Sequence, residues 1–158
     1  MPAPLTLGPP HPVWEAGATL GEGCLWSAGT QALWWVDILQ QRLHRWRPAD
    51  GERRSWALPD TVSAVAERRG GTGLALALRR GFALFDPDTG VLTRGPEPEL
   101  HRPGNRFNDG ACDAAGRFWA GTMDFGCTAT GPPMASGAAG RCPTPSRPWP
   151  SGATRRAS

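Results

Sequence analysis

The feature that most limits what this chain can fold into is a repeated pair of hairpins. Residues 24 to 37, CLWSAGTQALWWVD, read as strand, turn, strand. Residues 43 to 56, LHRWRPADGERRSW, read as a second hairpin that turns between Pro48 and Gly51. Two consecutive hairpins make a four-stranded unit. The unit then recurs, first as VSAVAERRGGTGLALAL (Val62 to Leu78), then as FALFDPDTGVLTRG (Phe82 to Gly95), whose DPDTG matches RPADG. Pro48 and Pro87 stand 39 residues apart, close to the ~40-residue period at which a propeller blade repeats. A third copy opens with NDGACDAAGRFWAGTM, turning at Asp113 to Gly116, with Trp119 where Trp35 and Ala77 stood. The pattern predicts an all-β fold, a partial β-propeller of about two and a half blades. A β-sandwich built from similar hairpins is the alternative; the regular spacing favours blades.

Composition agrees with short strands and tight turns. The 158 residues include eight Trp and five Phe against no Tyr, with 21 Gly and 17 Pro. The 17 basic residues are all Arg and give a net charge of +3. They are scattered as pairs, such as Arg53 and Arg54, Arg68 and Arg69, and Arg79 and Arg80. Such pairs do not line one helix or stripe, so nucleic acid is not expected as a partner. Cys24, Cys112, Cys127 and Cys142 show no CxxC spacing and no histidines at zinc-ligand distances, which argues against a zinc site or a disulfide framework. No charged amino-terminal region leads into an apolar run, and no stretch reaches the ~20 apolar residues of a membrane span. The expectation is a soluble cytoplasmic chain with no membrane partner.

Three segments follow from the pattern: an amino-terminal extension and first strand over 1–19, propeller blades over 20–126, and a tail over 127–158. From Cys127 to Ser158 there is no Val, Leu, Ile, Phe or acidic residue, but six Pro and four Gly. Such a segment buries too little apolar area to offset the entropy of ordering it, so disorder is expected there. The change of composition is abrupt and falls inside the third unit, where a second hairpin should follow. It reads as an aberrant terminus on a truncated propeller gene.

Chemistry concentrates at two places. Glu22 lies between Gly21 and Gly23, just before the first strand of the first unit, where an acid can point into a propeller channel. From pattern alone, a solvated loop acid is the leading reading. The stretch NRFNDG sets Arg106, Asn108 and Asp109 around Phe107 in what reads as a tight turn before an apolar strand. Here too a plain reading leads: Asp or Asn bonding its own backbone, and Arg106 pairing with a neighbouring acid. His11, His44 and His101 read as surface or strand-edge residues, and the tryptophans as core.

LGEGCLW, LWWVDI downstream, LHRWRPADG and NRFNDGACDAAGRFWAGTM, in that order, resemble the amino-terminal part of the senescence marker protein, gluconolactonase and regucalcin family over about Leu20 to Gly126. The resemblance implies a six-bladed propeller, one divalent cation in the central channel (Ca²⁺, Zn²⁺ or Mn²⁺), and hydrolysis of sugar lactones. It implies that Glu22 is a metal ligand and that Arg106 and Asn108 hold the substrate. Asp109 is left as structural, and Asp124 as a loosely matched substrate-side acid. The family completes its metal shell with an Asn and an Asp from later blades, the later of which serves as general base. Neither can be placed in this chain, so the isolated chain is expected to be inactive. A non-catalytic propeller-type binding or scaffold protein is the alternative function.

Overall fold

The computed structural model describes residues 8–68 and 73–124. Among them are ten strands and no helix: β1 (Gly21–Ser27), β2 (Ala32–Asp37), β3 (Arg42–Arg47), β4 (Glu52–Ala57), β5 (Val62–Glu67), β6 (Leu74–Leu78), β7 (Phe82–Phe85), β8 (Leu92–Arg94), β9 (Asn105–Cys112) and β10 (Phe118–Asp124). They pair in sequence order as a first sheet β1-β2-β3-β4, a second sheet β5-β6-β7-β8 and a hairpin β9-β10, antiparallel throughout. Each hairpin expected from the repeat is present. One expectation needs correction: Asn105 to Asp109 are not a tight turn but the first part of β9, and the turn comes later, at Asp113 to Gly116. The reason is pairing, since Asn105 to Cys112 lie opposite β10 along its length.

The matching turns have a common chemistry. Gly51, Gly90 and Gly116 take φ of 70°, 74° and 77°, a left-handed conformation that costs glycine little. Before each glycine an aspartate accepts backbone N–H groups: Asp50 from Glu52, Asp86 from Asp88 and Thr89, Asp113 from Ala115 and Arg117. The Arg47 guanidinium, aided by the Glu52 N–H, holds the Asp50 carboxyl down at about 2. The Trp119 indole N–H and the Arg117 N–H hold the Asp113 carboxyl well below the usual carboxylate range.

The sheets stack through the second one. β5 packs against β1 and β2 on one side and β9 on the other, so the first strands of the three units run side by side. The sequence LALAL of β6 shows why the stack has two different layers, because successive side chains in a strand point to opposite faces. Leu74, Leu76 and Leu78 join Val62, Val65 and Phe85 against Trp34, Val36 and Leu43 of the first sheet. Ala77, with Ala64, Ala66 and Phe82, meets Phe107, Phe118 and Ala120 of the hairpin, and Ala75 packs at the margin of that layer. The alanines leave room for rings: Phe82 lies 4.9 Å from Phe107 and 5.8 Å from Phe118, centroid to centroid.

Residues 8–20 carry no strand, so the strand expected within 1–19 is not found over 8–19, and β1 begins at Gly21. Pro9, Pro10 and Pro12 have no N–H to give a ladder. The segment instead lies on the first sheet. Trp14 sits edge-on to Trp35 (5.1 Å) and His44 (5.4 Å), and Arg53 donates to the Val13 carbonyl (2.6 Å). Nearer β1, the buried Asp37 carboxylate accepts the N–H groups of Thr19 (2.7 Å), Leu20 (3.2 Å) and Gln40 (3.1 Å). Burial raises the Asp37 pKa, but these backbone donors together outweigh it and the net shift is downward. His44 corrects a second expectation: it is buried in the central strand β3, stacked on Trp35 at 5.1 Å and bonded through Nδ1 to the Ser55 hydroxyl. Burial lowers its pKa, with Arg42 adding to the shift and Asp37 opposing it. Trp34 is core as expected, whereas Trp26 is 49% exposed. The tail expected over 127–158 lies outside the described residues.

Candidate functional site

Each of the three adjacent first strands is bulged against its second strand. In β1, Glu22 pairs with Val36 and Leu25 with Trp34, so Gly23 and Cys24 together oppose Trp35. In β5 the extra residue is Ser63, between the pairs Val62–Leu78 and Ala64–Ala77. In β9 it is Asn108, between Phe107–Thr122 and Asp109–Gly121. A bulge shifts the alternation of faces by one and re-aims the side chains beyond it.

On β9 that shift decides which residues share a face. Residues three apart in a regular strand point to opposite sides. Because Asn108 is the extra residue, Arg106 (opposite Met123) and Asp109 (opposite Gly121) fall on one side, the side turned away from the second sheet. Phe107 and Thr122 lie between them and are buried toward the second sheet. Arg106 is half-buried and its Nη1 donates to the Phe107 carbonyl at 3.0 Å, while Asn108 and Asp109 are exposed. The Asp109 carboxylate accepts the N–H of the next residue, Gly110, at 2.7 Å. A Cβ built on Gly121 would meet nothing within 4 Å, so open space lies beside Asp109. Asp109 holds no turn; it is a strand residue on the same side as Arg106. Asp124 pairs with Asn105, one register position from the Arg106–Met123 pair and therefore on the other side of the hairpin.

Glu22 is exposed on β1, and the chain bends directly after it. Gly23 takes φ of 63°, and a Cβ there would stand 3.7 Å from the Ser63 carbonyl and 3.8 Å from the Ala64 Cα. The bulge of β1 thus rests against the bulge of β5. Ser63 is closed off in turn, its hydroxyl donating to the Ala77 carbonyl at 3.2 Å. Arg106 and Asn108 are brought together on one strand. Glu22 stands on a different strand, with β5 between.

One carboxylate does not cage a divalent cation, since Ca²⁺ takes six to eight oxygen ligands. Among the described residues no three His, Cys, Asp or Glu side chains converge as such a cage would need. The described residues therefore do not make a cation site by themselves, although Glu22 is the kind of oxygen donor one would use.

Glu99 and Asn105 were not anticipated as partners. Glu99 accepts the Thr122 hydroxyl at 3.0 Å and the Asn105 amide at 2.9 Å, tying the β8–β9 connection to both strands of the hairpin. In the segment PEPEL it has the appearance of a solvated loop acid, and only the folded chain brings its two donors together.

Against this geometry, the family described as the SMP-30/Gluconolactonase/LRE-like region matches residues 20–142. A 6-deoxy-6-sulfogluconolactonase of Pseudomonas putida is 42% identical over 106 residues, covering 67% of this chain and 36% of that protein. An L-arabinolactonase of Azospirillum brasilense is 38% identical over 119 residues, covering 75% of this chain and 38% of that protein. The crystal structure of a calcium-binding protein, regucalcin, from Agrobacterium tumefaciens superposes with a TM-score of 0.66 at 38% identity, covering 71% of this chain and 38% of that one. The chain thus spans under two-fifths of the length of these relatives.

Proposed function

This chain belongs to the SMP-30/gluconolactonase/LRE-like family, and on that premise we propose that it is part of a metal-dependent sugar lactone hydrolase with Arg106 and Asn108 on the substrate. The family and the lactonase relatives indicate lactone hydrolysis as the chemistry. The observation that carries the placement is the run of bulges along β1, β5 and β9, which sets Glu22 at one end of the series and Arg106 with Asn108 at the other. In a six-bladed propeller these first strands would line the channel.

The roles follow from the groups. Arg106 offers a planar fork of N–H donors, and Asn108 one donor group and one acceptor, a set that matches the hydroxyls of a polyol ring. Fixing the ring against them lowers the entropic part of the barrier by holding the lactone carbonyl in one position. Glu22 is one oxygen ligand for a divalent cation, Ca²⁺, Zn²⁺ or Mn²⁺. When bound, such a cation polarises a carbonyl and acidifies water. The remaining ligands and the general base come from outside the described residues, so purified 158-residue chain is expected to show no turnover of gluconolactone with any of the three metals.

The test is a chimera in which residues 20–124 replace the matching part of the Pseudomonas putida relative. Metal-dependent lactone hydrolysis is expected, falling by about a hundredfold or more in Glu22→Gln and by roughly tenfold to a hundredfold in Arg106→Ala. A folded chimera that is inactive, or one indifferent to Glu22→Gln, overturns the reading. A non-catalytic binding protein is the second reading. It predicts that the folded chimera hydrolyses nothing.

A further inference from the structure

A small open depression lies where the β6–β7 turn, the β8–β9 connection and the start of the hairpin meet. Arg79, Arg80, Glu99, Arg102, Asn105 and Thr122 line it, and Phe107 contributes to its wall. It is on the side of the hairpin that faces the second sheet, across β9 from Arg106.

Three observations give it a chemical character. First, its one carboxylate is engaged: both oxygens of Glu99 accept from Thr122 and Asn105. Second, its arginines sit on backbone already fixed by hydrogen bonds. The Leu78 N–H donates to the Gly81 carbonyl, the Phe107 N–H to the Arg79 carbonyl, the Arg102 N–H to the Glu99 carbonyl and the Asn105 N–H to the Arg102 carbonyl. Third, some arginines elsewhere pair with acids, Arg45 with Glu52, Arg47 with Asp50 and Glu52, and Arg117 with Asp113, while others among the described residues, such as Arg42, Arg53, Arg54 and Arg94, enter no such pair. Among the described residues Arg80 and Arg102 enter no such pair. A concave site with excess guanidinium charge on a rigid frame suits an oxyanion, because the planar fork of arginine matches the geometry of carboxylate, phosphate and sulfonate oxygens.

We propose that this depression is an oxyanion site in which Arg80 and Arg102 bind a phosphate, sulfonate or carboxylate group. The anion has two sources. It is either a charged substituent carried by the sugar lactone or a free inorganic ion. The first source rests on the function proposed above, and the site itself does not. Asn105 in the depression and Asn108 stand three residues apart on β9.

Isothermal titration of the 158-residue chain at constant ionic strength with inorganic phosphate, D-gluconate 6-phosphate and uncharged D-glucitol tests this. Saturable binding of at least one phosphate compound is expected, weakened about tenfold or more in the double variant Arg80→Ala/Arg102→Ala. The double variant Arg53→Ala/Arg54→Ala, with the same charge change on β4, is expected to leave it unchanged. Backbone amide shifts on titration are expected to centre on Arg79 to Gly81 and Glu99 to Asn105. Equal loss in both double variants, or no saturable binding, overturns the proposal. If gluconate 6-phosphate binds tighter than phosphate and Asn108→Ala removes the difference, the anion belongs to the sugar. If the two bind alike and Asn108→Ala changes neither, the site takes a free ion; it then stands even if the lactonase reading fails.

Discussion

The two faces of the second sheet are built from the same strands yet hold their neighbours in different ways. Toward the first sheet, Leu74, Leu76 and Leu78 spread contact over many aliphatic groups and Trp34. Toward the hairpin, small alanines accept a few large rings, with Phe107 1% exposed and Phe118 7%. A layer of many similar groups shares the loss of any one of them. A layer of three rings on an alanine floor depends on each ring. The same few rings also fix the hairpin that carries Arg106 and Asn108, so the more fragile layer is the one on which the proposed substrate contacts depend.

Phe107→Ala is expected to have the largest effect, costing about 3–5 kcal/mol and releasing the hairpin before the sheets. Hydrogen exchange is the measurement: β9 and β10 amides should lose protection while β2 and β3 keep theirs. Leu76→Ala, at the centre of the opposite layer, should cost somewhat less, about 2–4 kcal/mol in denaturant titration, and lower protection evenly across both sheets. If the two variants give the same exchange pattern, the layers are equivalent and the comparison fails. Overpacking sharpens the contrast. Ala77→Leu should cost roughly 1–3 kcal/mol because it drives into Phe107 and Phe118, whereas Leu76→Met should stay below about 1.5 kcal/mol.

The smallest effect is expected in acid, and it should touch the first sheet alone. The folded Asp37 pKa lies below its unfolded value of about 3.9, so its carboxylate contributes stability that is complete above pH ~4 and lost as pH falls through the folded value. Acid titration followed by exchange at Thr19 and Leu20 should show their protection fading below pH ~4. Asp37→Asn should lack that acid limb while leaving hairpin protection unaltered. Hairpin amides that fade together with those of Thr19 would show the layers to be coupled.

The strands were legible because the sequence alternates in step with the pleat and marks its turns with Asp and Gly. LALAL even announces that the two faces of β6 differ in size. The bulges were not legible, because a bulge is a mismatch between two strands and neither carries it alone. Asn108 is extra only in relation to β10. The same cause explains why NRFND reads as a turn: a polar run without alternation resembles a loop until its partner is known. His44 looked exposed because nothing nearby in sequence signals that Trp14 crosses the sheet to cover it. Glu22, Arg106 and Asn108 stood out through the ordered motifs around them, whereas the partners of Glu99 are set by the β8–β9 connection folding back.

The bulge at Asn108 also makes β9 one residue longer than its pairing with β10 requires. Loss of that single codon would leave every pair as it stands, Phe107 opposite Thr122 and Asp109 opposite Gly121, and would only straighten the strand. Arg106 and Asp109 would still share a side, now as residues two apart in a regular strand. A one-residue deletion there would therefore subtract a single amide from the rim of the strand while sparing the register that orients everything else.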